Sequence, residues 1–158
     1  MGVKLLSSKF TRPNDTTSYT NGDLVANSTT AGSVVPLKFQ VGSEGGQLVS
    51  IRMVKTDETD VASATFSLRL FAGLPTVANG DNGAISHDVA SIIGIYPLTT
   101  MVAATDDAYS VLNIGDTNFS GGLYLPGVST IYGLIEAKAA YSPAALEVFT
   151  VSLVVAPA

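Results

Sequence analysis

Residues 147–155, Glu-Val-Phe-Thr-Val-Ser-Leu-Val-Val, contain the pattern that decides the fold expected for this chain. Large apolar residues occupy every second position from Phe149 to Val155, and Thr, Ser and Val lie between them. A period of two places alternate side chains on opposite faces of a β-strand. Burying the four apolar side chains would contribute about 6 to 12 kcal/mol before conformational entropy is subtracted. The stretch therefore predicts a core strand.

The same alternation recurs in short runs that end in turn residues. It is clear at residues 35–41, 49–53 and 65–70. Further short apolar runs are at 24–26, 96–102, 109–114, 123–125 and 131–137. Many short strands separated by Gly, Pro and Asn predict an all-β chain, an antiparallel β-sandwich with jelly-roll-like rather than simple hairpin topology.

Two connections have their own signals. The acidic segment 56–60 lies between the runs 49–53 and 65–70, which predicts that these runs are antiparallel neighbours with an acidic tip. Pro75 and the Gly and Asn residues at 79–83 interrupt the pattern. The spacing of Ile85, Val89, Ile92 and Ile93 then predicts a short helix or an irregular crossover over about 84–94.

Composition limits the classes of protein that fit. The chain has 158 residues, which suits one domain, and it is 46% hydrophobic with only 13% charged residues. The absence of Cys excludes disulfides, thiolate chemistry and Cys-based zinc sites. Pro and Gly interrupt the longest uncharged stretches, so no membrane span is predicted. No signal-peptide core is present, which predicts synthesis in the cytoplasm.

Charge divides the chain into two parts. Lys4, Lys9 and Arg12 are the charged residues of the first twelve, whereas the remainder has five basic and thirteen acidic residues. We therefore expect an extended N-terminal arm over residues 1–22 and a single sandwich domain over 23–158. The anionic body argues against binding to nucleic acid.

The sequence contains little that supports catalysis. His87 is the only imidazole, and its neighbour Asp88 would point to the opposite face of a strand. No Gly-x-Ser-x-Gly elbow supplies a nucleophile. The acidic groups at 57–60, 81–82 and 106–107 lack the EF-hand pattern. We predict no catalytic residue, no cofactor and no metal. The sequence does not exclude a glycosidase pair of carboxylates, because the two residues of such a pair can be far apart in the chain.

Three aromatic residues break the phase of their strands. Phe71, Tyr124 and Tyr132 are predicted to point away from the core, on faces that would be wet in a monomer. Together with the low charge, they predict a subunit interface or a partner-binding patch.

Three groups of residues resemble a known family. The stretches are FTRPNDTTSY at 10–19, FSLRLF at 66–71 with PTVANGDN at 75–82, and TIYGLIEA at 130–137. They are similar to a family of small virion proteins of tailed bacteriophages, the head decoration or cement proteins. The likeness spans most of the chain, and its motifs are structural.

The resemblance implies a homotrimer that sits outside the phage head where major capsid subunits meet. It also implies that Phe10, Arg12, Pro13 and Tyr19 extend from the sandwich onto a capsid protein or a sister subunit. The protein would be made in the bacterial cytoplasm, with which the lack of Cys agrees.

Two other classes compete with capsid decoration. One is a carbohydrate- or receptor-binding jelly-roll module of a phage tail fibre or tail tip, for which exposed aromatic platforms would be needed. The other is a sandwich-fold enzyme, such as a polysaccharide lyase or esterase fragment, which lacks a supporting motif. The sequence favours a structural virion protein that is not an enzyme.

Overall fold

The computed structural model describes residues 2–114, 120–121 and 124–158. Over these residues the chain forms twelve β-strands and two short 3₁₀ turns, Ala31–Ser33 and Val61–Ser63. The strands are β1 (Lys4–Thr11), β2 (Leu24–Val25), β3 (Leu37–Gln40), β4 (Gly46–Lys55), β5 (Phe66–Phe71), β6 (Ile92–Pro97), β7 (Val102–Ala104), β8 (Asp107–Asn113), β9 (Ser120–Gly121), β10 (Tyr124–Leu125), β11 (Thr130–Ala137) and β12 (Val148–Ala156). None of the described residues belongs to a helix with the length and hydropathy to span a bilayer.

The strands form two antiparallel sheets that pack as a sandwich. The first sheet has the order β1-β12-β4-β8-β7, with β10 paired to β4. The second has the order β2-β11-β5-β6-β9, with β3 paired to β11. Among the described strands, only β5–β6 and β7–β8 pair with a neighbour in sequence. The predicted all-β antiparallel sandwich is confirmed, and its long connections agree with the predicted topology.

The main core lies between the sheets and follows the alternation of the sequence. Phe149, Val151, Leu153 and Val155 of β12 are all buried. They meet β4, β5 and β11 in one continuous apolar cluster. The cluster also contains Leu37, Phe39, Leu48, Ile51, Met53, Phe66, Leu68, Leu70, Ile131 and Ile135. The central position of β12, between β1 and β4, confirms the prediction from residues 147–155.

The N-terminal segment differs from the predicted arm, because most of it is a sheet strand. Strand β1 pairs with β12 from Lys4 opposite Val155 to Thr11 opposite Val148. Phe10 stacks on Phe149 with ring centroids 5.7 Å apart. Ser8 occupies the inward position between Leu6 and Phe10 and weakens the apolar alternation, so the strand signal was missed. Residues 4–11 therefore belong to the sandwich.

The runs predicted to be neighbours across the acidic tip lie in different sheets. Strand β4 pairs with β12 and β8 in the first sheet. Strand β5 pairs with β11 and β6 in the second. The prediction of direct pairing was wrong because alternation identifies a strand but does not specify its partner. Segment 56–60 instead crosses from one sheet to the other.

The connection between β5 and β6 is irregular, which rules out the helical alternative. Two isolated bridges hold it, Val77 with His87 and Asp23 with Ala84. It lies over the outer face of the second sheet and completes a second apolar cluster there. This cluster contains Leu24, Ala26, Phe71 and Leu134, with Val34, Val77, Ile85, Ile92 and Tyr132 packed against it. The crossover thus covers part of the outer face of the second sheet, while Lys38 and Gln40 of β3 stay exposed there.

The predicted run 123–125 lies partly outside the described residues. Its described part, Tyr124–Leu125, forms β10 and pairs with Gln47 and Gly46 of β4.

Candidate partner interface

The residues predicted to meet a partner are distributed between the interior and the surface. Arg12, Tyr19 and Phe71 are buried within the protomer, Phe71 with 0% exposure. The expectation that these three side chains face outward was wrong. Phe71 is out of phase with the main core, but the crossover covers it and it packs in the second cluster.

Four of the predicted interface residues retain some exposure. Tyr124 is 63% exposed, whereas Phe10, Pro13 and Tyr132 are half-buried. Phe10 packs on the main core and Tyr132 on the second cluster. A role for these four in binding a partner stays a prediction, and the structure does not bring them together as one constellation with Arg12, Tyr19 and Phe71.

Arg12 and Tyr19 belong to a buried polar cluster at one end of the sandwich. Arg12 Nε donates to the Tyr19 hydroxyl at 2.5 Å, and this hydroxyl donates to Asp81 Oδ1 at 2.6 Å. Arg12 Nη2 lies 3.3 Å from Asp81 Oδ2. The backbone N–H of Ala26 also donates to Asp81. The cluster fastens segment 12–19 to the crossover, so Arg12 has a structural role within the protomer.

A second buried cluster surrounds Lys55. Its Nζ donates to the carbonyl oxygens of Asp57 and Thr59 and lies 3.7 Å from Glu147 Oε1. Tyr141 donates its hydroxyl to Glu147 at 2.6 Å. Burial lowers the pKa of Lys55, and Glu147 opposes that shift. The ammonium organises segment 56–60 as the connection between the sheets.

The only histidine is part of a polar network on the second sheet. Arg69 Nη1 lies 2.8 Å from His87 Nε2, and His87 Nδ1 lies 2.9 Å from the Asp88 carbonyl oxygen. Because a guanidinium can only donate, Nε2 accepts and Nδ1–H donates to the carbonyl. Arg69 Nη2 donates to Glu136 at 3.0 Å. Both imidazole nitrogens are engaged, and no hydroxyl nucleophile contacts them among the described residues.

Two of the three acidic groups considered as metal ligands contain a carboxylate with an internal role. Asp57 Oδ1 accepts the backbone N–H of Thr59 at 2.6 Å. Hydrogen bonding from the Thr59 side chain, together with this backbone bond, lowers the pKa of Asp57. Asp81 is held by Arg12 and Tyr19. Within the described part of the chain, no three acidic or His side chains group in a way that could hold a metal ion.

The outer face of the first sheet, unlike that of the second, has no covering segment among the described residues. Strand pairing places its outward side chains in three rows across the sheet. The rows are Leu5-Val154-Ser50-Asn113, Ser7-Ser152-Arg52-Val111 and Lys9-Thr150-Val54-Tyr109-Val102. We call this surface the open face. Leu5 is 63% exposed, Val102 57% and Tyr109 41%.

Two hollows lie on the open face, one on each side of Arg52. One, of about 350 Å³, is lined by Arg52, Val54, Ala104, Asp107, Tyr109 and Val111. The other, of about 270 Å³, is lined by Leu5, Ser50, Arg52, Val111, Ser152 and Val154. Apolar side chains beside an arginine and a tyrosine are the composition typical of protein-binding surfaces. The open face is the candidate interface.

Sequence reasoning missed this surface, although part of its signal was present. Arg52 is out of phase with Ile51 and Met53, which marks it as outward-facing. Val54, Val111 and Val154 also fall at outward positions of their strands. What the sequence lacks is the order of β12, β4 and β8 in the sheet, which places these residues side by side.

Comparison with known proteins gives no family. No protein-family model matches the chain, and neither does any curated protein. Solved structures with similarity include a cyanophage Pam1 capsid asymmetric unit, at 16% identity and a TM-score of 0.34 over 98% of this chain and 87% of that one. A putative sugar binding protein from Bacteroides thetaiotaomicron has 15% identity and a TM-score of 0.33, covering 94% of this chain and 86% of that one.

A third similar structure contains the CBM22-1 and GH10 modules of the Clostridium thermocellum xylanase 10B, complexed with xylohexaose. It shares 12% identity, with a TM-score of 0.33, and the match covers 98% of this chain but 26% of that one. Similarities of this size do not transfer a function.

Proposed function

We propose that this chain is a structural virion protein that binds the outside of an assembled phage capsid and stabilises it, without catalysing a reaction. The observation that carries the proposal is the open face, a broad sheet surface with exposed Leu5, Val102 and Tyr109. The crossover covers the apolar cluster on the second sheet's outer face, whereas the apolar side chains of the open face are left for a partner.

Two further considerations support this function. The stretches 10–19, 66–71, 75–82 and 130–137 resemble the head decoration family. The titratable clusters in the described residues are closed internal networks around Arg12, Lys55 and Arg69, with no arrangement of nucleophile and base.

The mechanism is thermodynamic. A protein that binds only the expanded shell stabilises that state by about 2.7 kcal/mol per site at a hundredfold excess over its dissociation constant. The stabilisation from many sites on one shell adds up, and the total opposes outward pressure on the head. A homotrimer that engages several capsid subunits at once would bind more tightly than a single copy, because linked contacts raise the effective concentration.

Cosedimentation with shells of the phage that encodes this chain tests the function. We expect the purified protein to sediment with expanded empty shells and not with unexpanded ones, and imaging of whole particles to show added density on the head. Density on the tail instead, or no binding to shells, would contradict the proposal. Size-exclusion mass measurement of the free protein tests the trimer, for which three times the 16.2 kDa chain mass is expected.

The tail-module alternative has one observation in its favour. Tyr109 lies in the larger hollow with Asp107 and Arg52, which combines an aromatic surface with polar groups. Sugars bind to such combinations. Binding on a glycan array that is lost in Tyr109→Ala, with no affinity for shells, would favour a carbohydrate-binding role on a tail fibre or tail tip.

A further inference from the structure

Arg52 differs from the chain's other two arginines in having no acidic partner among the described residues. Arg12 is paired with Asp15 and Asp81, and Arg69 with Glu136. Arg52 is exposed and makes no ion pair within 4.0 Å in the described part of the chain. Asp107 lines the larger hollow together with Arg52, but the two side chains do not form an ion pair.

The position of Arg52 determines what can cover the open face. Its side chain lies between Ser152 and Val111 in the middle row and lines both hollows. A partner that fills the hollows therefore also buries the guanidinium. The free-energy cost of burying an unpaired charge is larger than the gain from the apolar contacts around it. A partner that binds tightly must therefore supply an anion.

The charge distribution argues against a second copy in face-to-face contact. The open face carries Lys9 and Arg52 against Asp107 at its rim, a net charge of +1 on a chain whose total is −5. A two-fold pairing through the middle of this face would bring two Arg52 groups together without an anion between them. The face suits a different protein surface.

We propose that the open face docks onto a capsid surface that presents a carboxylate to Arg52, flanked by apolar side chains that enter the two hollows. This inference rests on the proposed function and specifies its contact. The guanidinium accepts a carboxylate through two parallel N–H donors, which fixes the orientation of the partner as well as its charge.

Charge variants test this contact with empty expanded shells as the probe. We expect Arg52→Glu to bind about 100-fold more weakly than wild type and Arg52→Lys about tenfold more weakly. Lys38→Glu is the matched control, because Lys38 is exposed on β3 of the other sheet, and it should bind like wild type. Arg52 is exposed, so unchanged thermal unfolding is expected in all three variants.

The outcomes separate this inference from the proposed function. If wild type does not bind shells, the proposed function fails. If wild type binds and Arg52→Glu binds equally well, only the Arg52 contact is overturned.

Chemical cross-linking gives a second, independent readout. Carbodiimide joins an amine to a carboxylate in direct contact, with loss of one water. We expect the Arg52→Lys protein, bound to shells, to form an amide from position 52 to an acidic residue of the major capsid protein. A crosslink from position 52 to another copy of this chain would assign the open face to self-association and overturn the inference.

Discussion

At the scale of single residues, the chain places one lysine fully inside and another at the surface. Lys55 is buried between Glu147 and two carbonyl oxygens, whereas the side chain of Lys138 is 41% exposed and lies 3.8 Å from Glu136. Both have an acidic neighbour, so the difference in burial decides how much each contributes to stability.

Replacing each lysine with methionine should separate the two environments. We expect Lys55→Met to lower the free energy of unfolding by about 3 kcal/mol, because Glu147 and the carbonyls of 57 and 59 lose their cation. Lys138→Met should change it by no more than about 0.5 kcal/mol. Urea unfolding measures both. Equal effects of the two substitutions would contradict the structural role given to Lys55.

Two buried tyrosines predict a loss of stability in alkali. Burial raises the pKa of both Tyr19 and Tyr141 above the ordinary phenol value, and the neighbouring Asp81 and Glu147 add to the effect. The folded state keeps these phenols protonated where the unfolded chain ionises them. The stability is therefore complete below about pH 10 and decreases above it.

Phenolate absorbance in an alkaline titration tests this. We expect the native amplitude to be unchanged in Tyr19→Phe, because burial keeps the Tyr19 phenol protonated in the folded state. Reduced amplitude in Tyr19→Phe, while the protein is still folded, would show that Tyr19 is accessible to solvent.

Most of these residue environments were beyond prediction from sequence. Alternation correctly marked Phe149 and Val151 as buried, because apolar residues at every second position of a strand share one face, and that face packs in the core. Arg12 was expected in an extended arm, and no sequence pattern marks Lys55 as buried, since the burial of both depends on acids that are 69 and 92 residues distant in the chain. Pairing over such separations leaves no local pattern.

At the scale of elements, the crossover between β5 and β6 is held by close packing as well as by hydrogen bonds. Gly80 lies against the backbone of Ser28 and Thr29, where an added Cβ would overlap the Thr29 carbonyl oxygen. The N–H of Asp81 donates to the Ser28 carbonyl at 2.7 Å. The second apolar cluster depends on this approach, because it places the crossover over Phe71.

Substituting alanine at two glycines tests the approach. Gly80→Ala should lower the free energy of unfolding by about 2 kcal/mol and speed amide exchange in the crossover. Gly32→Ala is the control, because no atom lies within 4 Å of its added Cβ, and we expect little change. If both variants are as stable as wild type, the crossover does not depend on close contact at Gly80.

Element positions were predicted better than element partners. The runs 131–137 and 148–155 coincide with β11 and β12 within a residue or two. Pairing of β4 with β5 was wrong, and the crossover proved irregular because its apolar residues pack onto the second sheet without helical hydrogen bonds. Local patterns report which face is apolar, and tertiary packing selects the neighbour.

At the scale of the whole molecule, β1 is part of the sandwich and not an appendage. It contributes eight paired positions to β12, and Leu6 and Phe10 pack on the main core. Deletion of residues 2–11 should therefore expose the edge of β12 and yield an aggregating or unfolded chain. Circular dichroism and sedimentation check this. A deletion variant that stays folded and monodisperse would restore the predicted arm.

The outer faces of the two sheets differ. The outer face of the second sheet packs in part against the chain's own crossover, whereas that of the first sheet is open to solvent. The low charge and high hydrophobic content predict exposed apolar side chains that bind another protein. Phe71 and Tyr132 instead meet the chain's own crossover, while Arg52 and Tyr109 occupy the uncovered side. Composition indicates that the chain has many apolar side chains. Only the fold shows which of them pack against the chain's own segments and which stay exposed.

Pairing of β1 with β12 also places Lys4 directly beside Val155. Backbones of paired strands are about 5 Å apart. A linker of a few glycines would thus join the two ends into a ring, and the protein should tolerate circular permutation with new ends opened in a surface turn. Peptides or dyes fused at either end would emerge from one shared corner, which makes the chain a convenient platform for display.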